Sequence, residues 1–210
     1  MPDDRISEGI IEYEVTYPKM DPNSILAELL PTKMVMSFKD NHFATELSAG
    51  FGMFKMNVIN NGEDHELAQL VKLINERFVV QYNQESAIKA LEALPEITVK
   101  ETGKKKQIAG FDCNEAIVTL HGDSVETFTI YFTNDIHIDH PNWFNQFSGI
   151  EGVLMEYQIE KYNLCSRFVA TSVTPKEISE DLFNISEDYE NINEEEMDRK
   201  MLEIFNSFSE

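Results

Sequence analysis

The sequence predicts a mainly β protein of the α+β kind: a single curved antiparallel sheet, or open half-barrel, with two or three helices covering its concave face. Three observations predict it. Short segments of alternating apolar and polar residues recur along the 210-residue chain, separated by Gly, Asn and Pro turn signals. Helical periodicity is confined to a few short stretches. No repeat, low-complexity tract or linker-like composition break divides the chain, so residues 1–210 read as a single domain, with 1–7 as a disordered N-terminal segment and 194–208 as a C-terminal helix.

"GIIEYEVTYP" places Ile11, Tyr13, Val15 and Tyr17 on one face of a first strand and Glu12, Glu14 and Thr16 on the other. "MDPNSILAELLP" reads as a short helix. Asp21 caps it, Pro22 occupies its first turn, Ile25, Leu26, Leu29 and Leu30 share a face, and Pro31 ends it. "KMVMSFKD" alternates with Met34, Met36 and Phe38 together, and "KDNH" turns the chain into "HFATEL". "FGMFKMNVINNG" groups Phe54, Met56 and Val58 and ends at an Asn-Gly turn. "HELAQLVKLINERFVVQYN" has helical spacing at Leu67, Leu70, Val71 and Ile74, but "RFVVQY" is strand-like, and two strands are the preferred reading. "QESAIKALEALP" is a helix stopped by Pro95. A meander follows, "EITVKETG", "KKQIAG", "CNEAIVTLHG" and "VETFTIYFTN", with breaks at Gly103, Gly110 and Gly122. "GVLMEYQIEKYNLCSRFVATSV" supplies two strands joined near Tyr162–Asn163, the first with Val153, Met155, Tyr157 and Ile159 on one face. The acidic stretch from Glu187 to Glu196 reads as a solvated connection. The last helix carries Met197, Met201, Ile204, Phe205 and Phe208 on one stripe, and its acidic start suits the helix dipole. The total is nine to eleven strands and two or three helices.

Hydrophobic residues make up 42 % and aromatics 10 %, which is globular composition. The formal net charge of −21, from 38 acidic and 17 basic residues, argues against nucleic acid and against anionic lipid surfaces as partners. No run of about 18 apolar residues is present to span a membrane. "MPDDRISEGI" is polar from the start and is no signal peptide. Read literally this means cytosol; the alternative is a mature domain lacking its leader. Cys113 and Cys165 belong to no C-x-x-C motif, and an oxidising compartment would allow one disulfide between them.

"NDIHIDHPNW" is the densest cluster of potential metal ligands. On an extended segment Asp135, His137 and Asp139 share one side, and His140 can join after the turn at Pro141. No H-E-x-x-H helix accompanies them, and the plain alternative is an exposed loop leaving the preceding strand. The chain has no G-x-S-x-G elbow and no G-x-G-x-x-G or P-loop, so no catalytic residue and no cofactor follow from motifs. "GKKK" at Gly103–Lys106 is a basic cluster in an acidic protein, read as a solvated hairpin tip able to touch lipid headgroups or an acidic partner.

Three segments carry a family resemblance. "KKKQIAGFDCNEAIV", with Ile108, Gly110, Phe111, Cys113 and Ala116, "IYFTNDI" followed by "FSGIEGVLMEYQI", and "TPKEISEDLFNISEDYENI", with Pro175, Ile178, Leu182, Phe183, Ile185 and Tyr189, resemble in order and spacing the GLPGLI family and its uncharacterised relatives. Glu151 stands where the family name has proline, and Ser186 where another proline is expected, so a sister family fits best. The resemblance implies a secreted or lipid-anchored protein of the periplasm or outer membrane, similar in architecture to lipoprotein carriers of the LolA/LolB type. It brings no catalytic residues.

The leading expectation is therefore a non-enzymatic protein that binds an apolar or lipid-like ligand, or a lipidated partner, on its concave face. The lining would be Met34, Met36, Phe38, Phe54, Met56, Val58, Phe128, Ile130, Phe132, Met155 and Tyr157, with the helix at Ile25–Leu30 as a cover. The alternatives are an interaction module with a closed core and an acidic surface, and, behind it, a metal-dependent hydrolase using Asp135, His137, Asp139 and His140.

Overall fold

The structure, a computed structural model, describes residues 5–21, 23–24, 28–92, 94–121 and 125–207. Its strands are β1 (Glu8–Thr16), β2 (Lys33–Lys39), β3 (His42–Ala49), β4 (Phe54–Asn61), β5 (Glu66–Leu73), β6 (Glu76–Tyr82), β7 (Ile97–Ile108), β8 (Phe111–Leu120), β9 (Glu126–Thr133), β10 (Val153–Lys161), β11 (Leu164–Pro175) and the short β12 (Glu190–Asn191). Among the described residues two full α-helices accompany them, α1 (Gln84–Glu92) and α2 (Glu194–Ser207). All twelve strands belong to one open sheet in the order β12-β6-β5-β4-β3-β2-β1-β11-β10-β9-β8-β7. It is two antiparallel meanders, β1 to β6 and β7 to β11, joined where β1 pairs with β11.

Tight turns set the registers. The β7–β8 loop is Ala109–Gly110 and the β10–β11 loop is Tyr162–Asn163, each with both residues at positive φ, the pattern that matches strand twist. "HELAQLVKLINERFVVQYN" is two strands, β5 and β6. The alternation in "RFVVQY" is decisive because Phe78, Val80 and Tyr82 bury one face while Val79 buries the other.

The sheet curls. Tyr162, at the β10–β11 turn, accepts a hydrogen bond from Gln69 of β5 at 3.5 Å. On a flat sheet these strands would stand about 25 Å or more apart, at ~4.8 Å per step. The face on which the ends meet is concave. Tyr13, Met34, Leu47, Met56 and Val71 follow one another across it by direct cross-strand pairing.

Several expectations need correcting. "EITVKETG" and "KKQIAG" are one strand, β7. Gly103, at φ 75, forms a bulge between Glu101 and Lys105 instead of a turn, so "GKKK" lies within a strand and is not a hairpin tip. The acidic stretch Glu187–Glu196 is not merely a solvated connection. It contains β12, parallel to β6, and Ile192, which is buried. Of the N-terminal segment expected to be disordered, Ile6 bridges to Ile136, while residues 1–4 lie outside the described residues. Residues 25–27 of the helix expected at Ile25–Leu30 lie outside them too, as do the break at Gly122 and the stripe residue Phe208; Glu28 and Leu29 are helical, Leu30 is buried and Leu29 exposed.

After β11 the chain wraps the first meander on both sides. Ile178 N–H donates to the Glu8 carboxylate at 2.7 Å, and Ile185 and Tyr189 pack on Ala68, Leu70 and Val79 of the convex face. β12 then extends the edge at β6, and α2 crosses to the concave face, where Met197, Met201 and Ile204 pack on Val71, Phe78 and Val80.

Candidate functional site

The concave face is apolar because its strands alternate in phase, so each contributes every second side chain to it. Among the described residues, α1 contributes Ala87 to its edge at β6, and two larger elements cover it. α2 lies over β5 and β6. The β9–β10 connection, residues 134–152, fills the space over β1 to β3 and β8 to β11 and is here termed the plug.

The plug is where "NDIHIDHPNW" resides, and it is not the exposed loop that its polar residues imply. Ile136 and Ile138 are buried in the same cluster as Ile11, Met36 and Phe38. Phe147 is fully buried between Phe128 and Tyr157, at ring-centroid distances of 6.4 and 6.3 Å. Phe144 packs on Phe43 at 5.8 Å. Buried Asn142 donates to the carbonyls of Ile150 and Gly152 at 2.7 and 2.9 Å, closing the plug's far end. Gly152 is obligatory there: a Cβ would stand 2.4 Å from the Asn134 side-chain oxygen and 2.8 Å from the Thr133 carbonyl.

The alternation that buries Ile136 and Ile138 turns their neighbours outward. Asp135 and Asp139 are exposed, His137 is half-buried, and exposed His140 starts the next turn at φ 49. Asp139 contributes its backbone N–H to the Asn41 side chain at 2.9 Å. Among the described residues, no group of three or more His, Cys, Asp or Glu is arranged to hold a metal ion, so the structure does not bring these four together as a ligand set.

The structure gathers the predicted lining on the concave side but does not leave it open. Met34, Met36, Phe38, Ile130, Phe132 and Met155 are buried by the plug and by one another. Phe54, Met56, Val58, Phe128 and Tyr157 are half-buried. Tyr157 stacks on Phe168 at 4.9 Å and meets Tyr13 edge-on at 6.2 Å, linking the two halves of the face.

Sequence reasoning missed the polar strip between plug and α2. Trp143 Nε1 donates to Asn60 Oδ1 at 2.8 Å. Asn60 is 1 % exposed, and its Nδ2 has no hydrogen-bond partner. Beside it Gln69 donates to Tyr162, whose hydroxyl donates to Asp198 of α2 at 2.9 Å. Burial pushes the Tyr162 hydroxyl well above its ordinary pKa, so it stays protonated and able to donate. The signal was present in the alternation of β4: Asn60 follows Met56 and Val58 on the inward face, where an amide is out of place.

The convex side carries a different buried polar group. Glu156, 4 % exposed, accepts from Lys106 at 2.7 Å and from Arg167. Lys106 reaches it across Tyr131, lying 4.8 Å from the ring centroid, and Tyr131 donates to Glu115 at 2.9 Å. Burial alone would raise the Glu156 pKa, but the hydrogen bonds and charges of Lys106 and Arg167 outweigh it and hold the carboxyl below its ordinary value. Both cysteines are free and buried. Burial raises both thiols, Cys113 to about 11, so at neutral pH neither is a ready nucleophile.

Together these features define a curved β sheet with an apolar concave face, closed by its own β9–β10 segment. The chain belongs to a family described as "Domain of unknown function (DUF4412)", whose profile matches residues 9–149, from β1 into the plug. That match gives no GLPGLI or LolA-like assignment; what stands of the resemblance is membership of an uncharacterised family. No curated protein matches the chain. Among the described residues no helix is long and apolar enough to cross a membrane.

Proposed function

We propose that the protein is a non-enzymatic binding protein whose concave face receives an acyl chain or a comparable lipid group, free or on a lipidated partner, when the plug moves aside. The observation that carries this reading is the orphaned Nδ2 of Asn60, a buried donor at the seam between plug and sheet. A buried amide normally finds its partners, and an unmet donor costs about 1–3 kcal/mol. The carbonyl or carboxylate of an acyl group would supply the missing acceptor, and its tail would take the place of plug side chains beside Phe43 and Met56. Burial contributes about 0.8 kcal/mol per methylene, so a dozen methylenes offer on the order of 10 kcal/mol against the plug contacts they replace. Resemblance to envelope lipoprotein carriers agrees with this reading and brings with it a location in the periplasm or outer membrane, which cell fractionation tests.

Trp143 is the only tryptophan, so its emission reports the plug directly. Native mass spectrometry with palmitate is expected to show one bound copy, and Trp143 emission to shift over the same concentration range. Met56→Gln is expected to weaken binding about tenfold, the equivalent of 1.4 kcal/mol, without loss of the fold. A clean unliganded mass with unmoved emission at saturating palmitate overturns the reading.

A second reading is favoured by the burial of Met34, Met36, Phe38 and Met155: an interaction module whose core stays closed. It predicts no palmitate binding, and partner binding that weakens when surface acids are neutralised.

A further inference from the structure

Two neighbouring hairpin tips end in bare apolar side chains. β3 and β4 are joined through Gly50–Gly52, where Phe51 stands at φ 54 between glycines at φ 57 and 83 and is 110 % exposed. Met53, next along, is 56 % exposed. β5 and β6 are joined through Ile74–Asn75, and Ile74 is 60 % exposed. The tips are tied to one another: Ile74 N–H donates to the Met53 carbonyl at 2.6 Å, and Lys72 Nζ to the Gly52 carbonyl at 3.3 Å. Phe51, Met53 and Ile74 therefore form one apolar projection from two loops.

Behind the projection lies a row of cations. Lys55 pairs across the sheet with Lys72, and Lys72 with Arg77, so like charges stand side by side on β4, β5 and β6. Directly opposed like charges weaken a sheet. Glu46, 3.1 Å from Lys55, and Asp188, 3.2 Å from Arg77, offset this only in part. In a chain with 38 acidic and 17 basic residues, three adjacent cations behind an exposed Phe, Met and Ile are not accounted for by the sheet's own stability.

We propose that this end of the molecule docks on a lipid bilayer, with Phe51, Met53 and Ile74 entering the acyl boundary and the Lys55–Lys72–Arg77 row lying at the level of the phosphates. Apolar and aromatic side chains backed by basic ones are what an interfacial anchor requires. The net charge of −21 does not forbid it. Charges are screened over about 8 Å at physiological salt, whereas an eight-residue strand is roughly 25 Å long, so acids at the far end of the sheet are not felt at the tip. The proposal is independent of what the concave face holds.

The test is co-sedimentation of the whole chain with phosphatidylcholine vesicles containing about a quarter phosphatidylglycerol, at about 0.15 M salt. The wild type is expected to sediment, and Phe51→Ser/Ile74→Ser to partition about tenfold less. Leu182→Ser, which changes a 49 % exposed residue beside Phe183, itself packed on His42 at the opposite end of β3 from the Phe51 tip, is the control and is expected to match the wild type. Circular dichroism confirms that each variant folds. Phe51→Trp in a Trp143→Phe background is expected to give blue-shifted emission with vesicles. A wild type that stays in the supernatant overturns the proposal, as does a double variant that sediments like the wild type. Equal binding to phosphatidylcholine alone overturns the part given to the basic row.

Discussion

Asn60 and Glu156 are both buried polar residues of the same sheet, 1 % and 4 % exposed, yet their surroundings treat them in opposite ways. Glu156, on the convex side, has two cations donating to it, and its pKa is lowered in spite of burial. Asn60, on the concave side, has one partner, Trp143, and a donor left over. The first is a finished clasp, drawing β7, β10 and β11 together. The second is an unfinished contact between the sheet and the plug. A fully satisfied buried network rigidifies its surroundings, and under the proposed function the half-satisfied one is where the plug gives way to a ligand.

The largest effect expected from this contrast separates sheet from plug. Phe38, in β2, and Phe147, in the plug, are both 0 % exposed. Truncating a fully buried Phe costs about 3–5 kcal/mol where the surroundings cannot relax. Phe38→Ala is expected to lose that full amount in urea unfolding. Phe147→Ala is expected to lose less than half of it, because a plug that detaches locally does not take the sheet with it. Equal losses would make the plug an ordinary part of the core and break the comparison.

Glu156→Gln comes next. It removes charge-assisted bonds worth about 1.5–3 kcal/mol, and Lys106 and Arg167, each half-exposed, then return to water. The pH dependence follows from the lowered pKa. The stability Glu156 adds is fully present above the unfolded carboxylate value of about 4.3, and is lost as pH falls through the lower folded value. The wild type is therefore expected to exceed Glu156→Gln in stability at pH 7, with the gap closing below about pH 4. A gap that persists into acid would assign the loss to packing.

The same contrast explains what could be read in the sequence. The hairpins were legible because turn chemistry and period-two alternation are local: Asp40, Gly110 and Asn163 stand at positive φ, where Asp, Gly and Asn are favoured. The α2 stripe of Met197, Met201 and Ile204 was legible for the same reason. The plug was not. Asp135, His137 and Asp139 alternate with Ile136 and Ile138, and chemistry drew attention to the outward set while the inward set does the packing. Beyond Pro141 the apolar residues Trp143, Phe144, Phe147 and Ile150 keep a near-helical spacing without forming a helix, so no single period describes the segment. Tyr189 and Ile192 were hidden in an acidic run. The link from Lys106 to Glu156 spans 50 residues and two intervening strands, which no local signal encodes.

The smallest expected effect bears most directly on the concave site. Trp143→Phe removes the donor to Asn60 Oδ1 and leaves both ends of a buried amide unmet, a loss of about 1–3 kcal/mol. Asn60→Leu removes the amide but strands the Trp143 N–H, at a similar cost. The double variant leaves no unmet polar atom at this seam, so its loss is expected to fall well below the sum of the two, with a coupling of about 1–2 kcal/mol in a double-mutant cycle. The same double variant also removes the donor offered to an acyl head group while keeping the apolar face. If Asn60 Nδ2 is what the ligand engages, the double variant binds palmitate more weakly than wild type while keeping its fold. A sub-additive loss with undiminished binding would leave the hydrogen bond as a fastening of the plug alone and move the head-group site elsewhere along the strip, toward Gln69 and Tyr162.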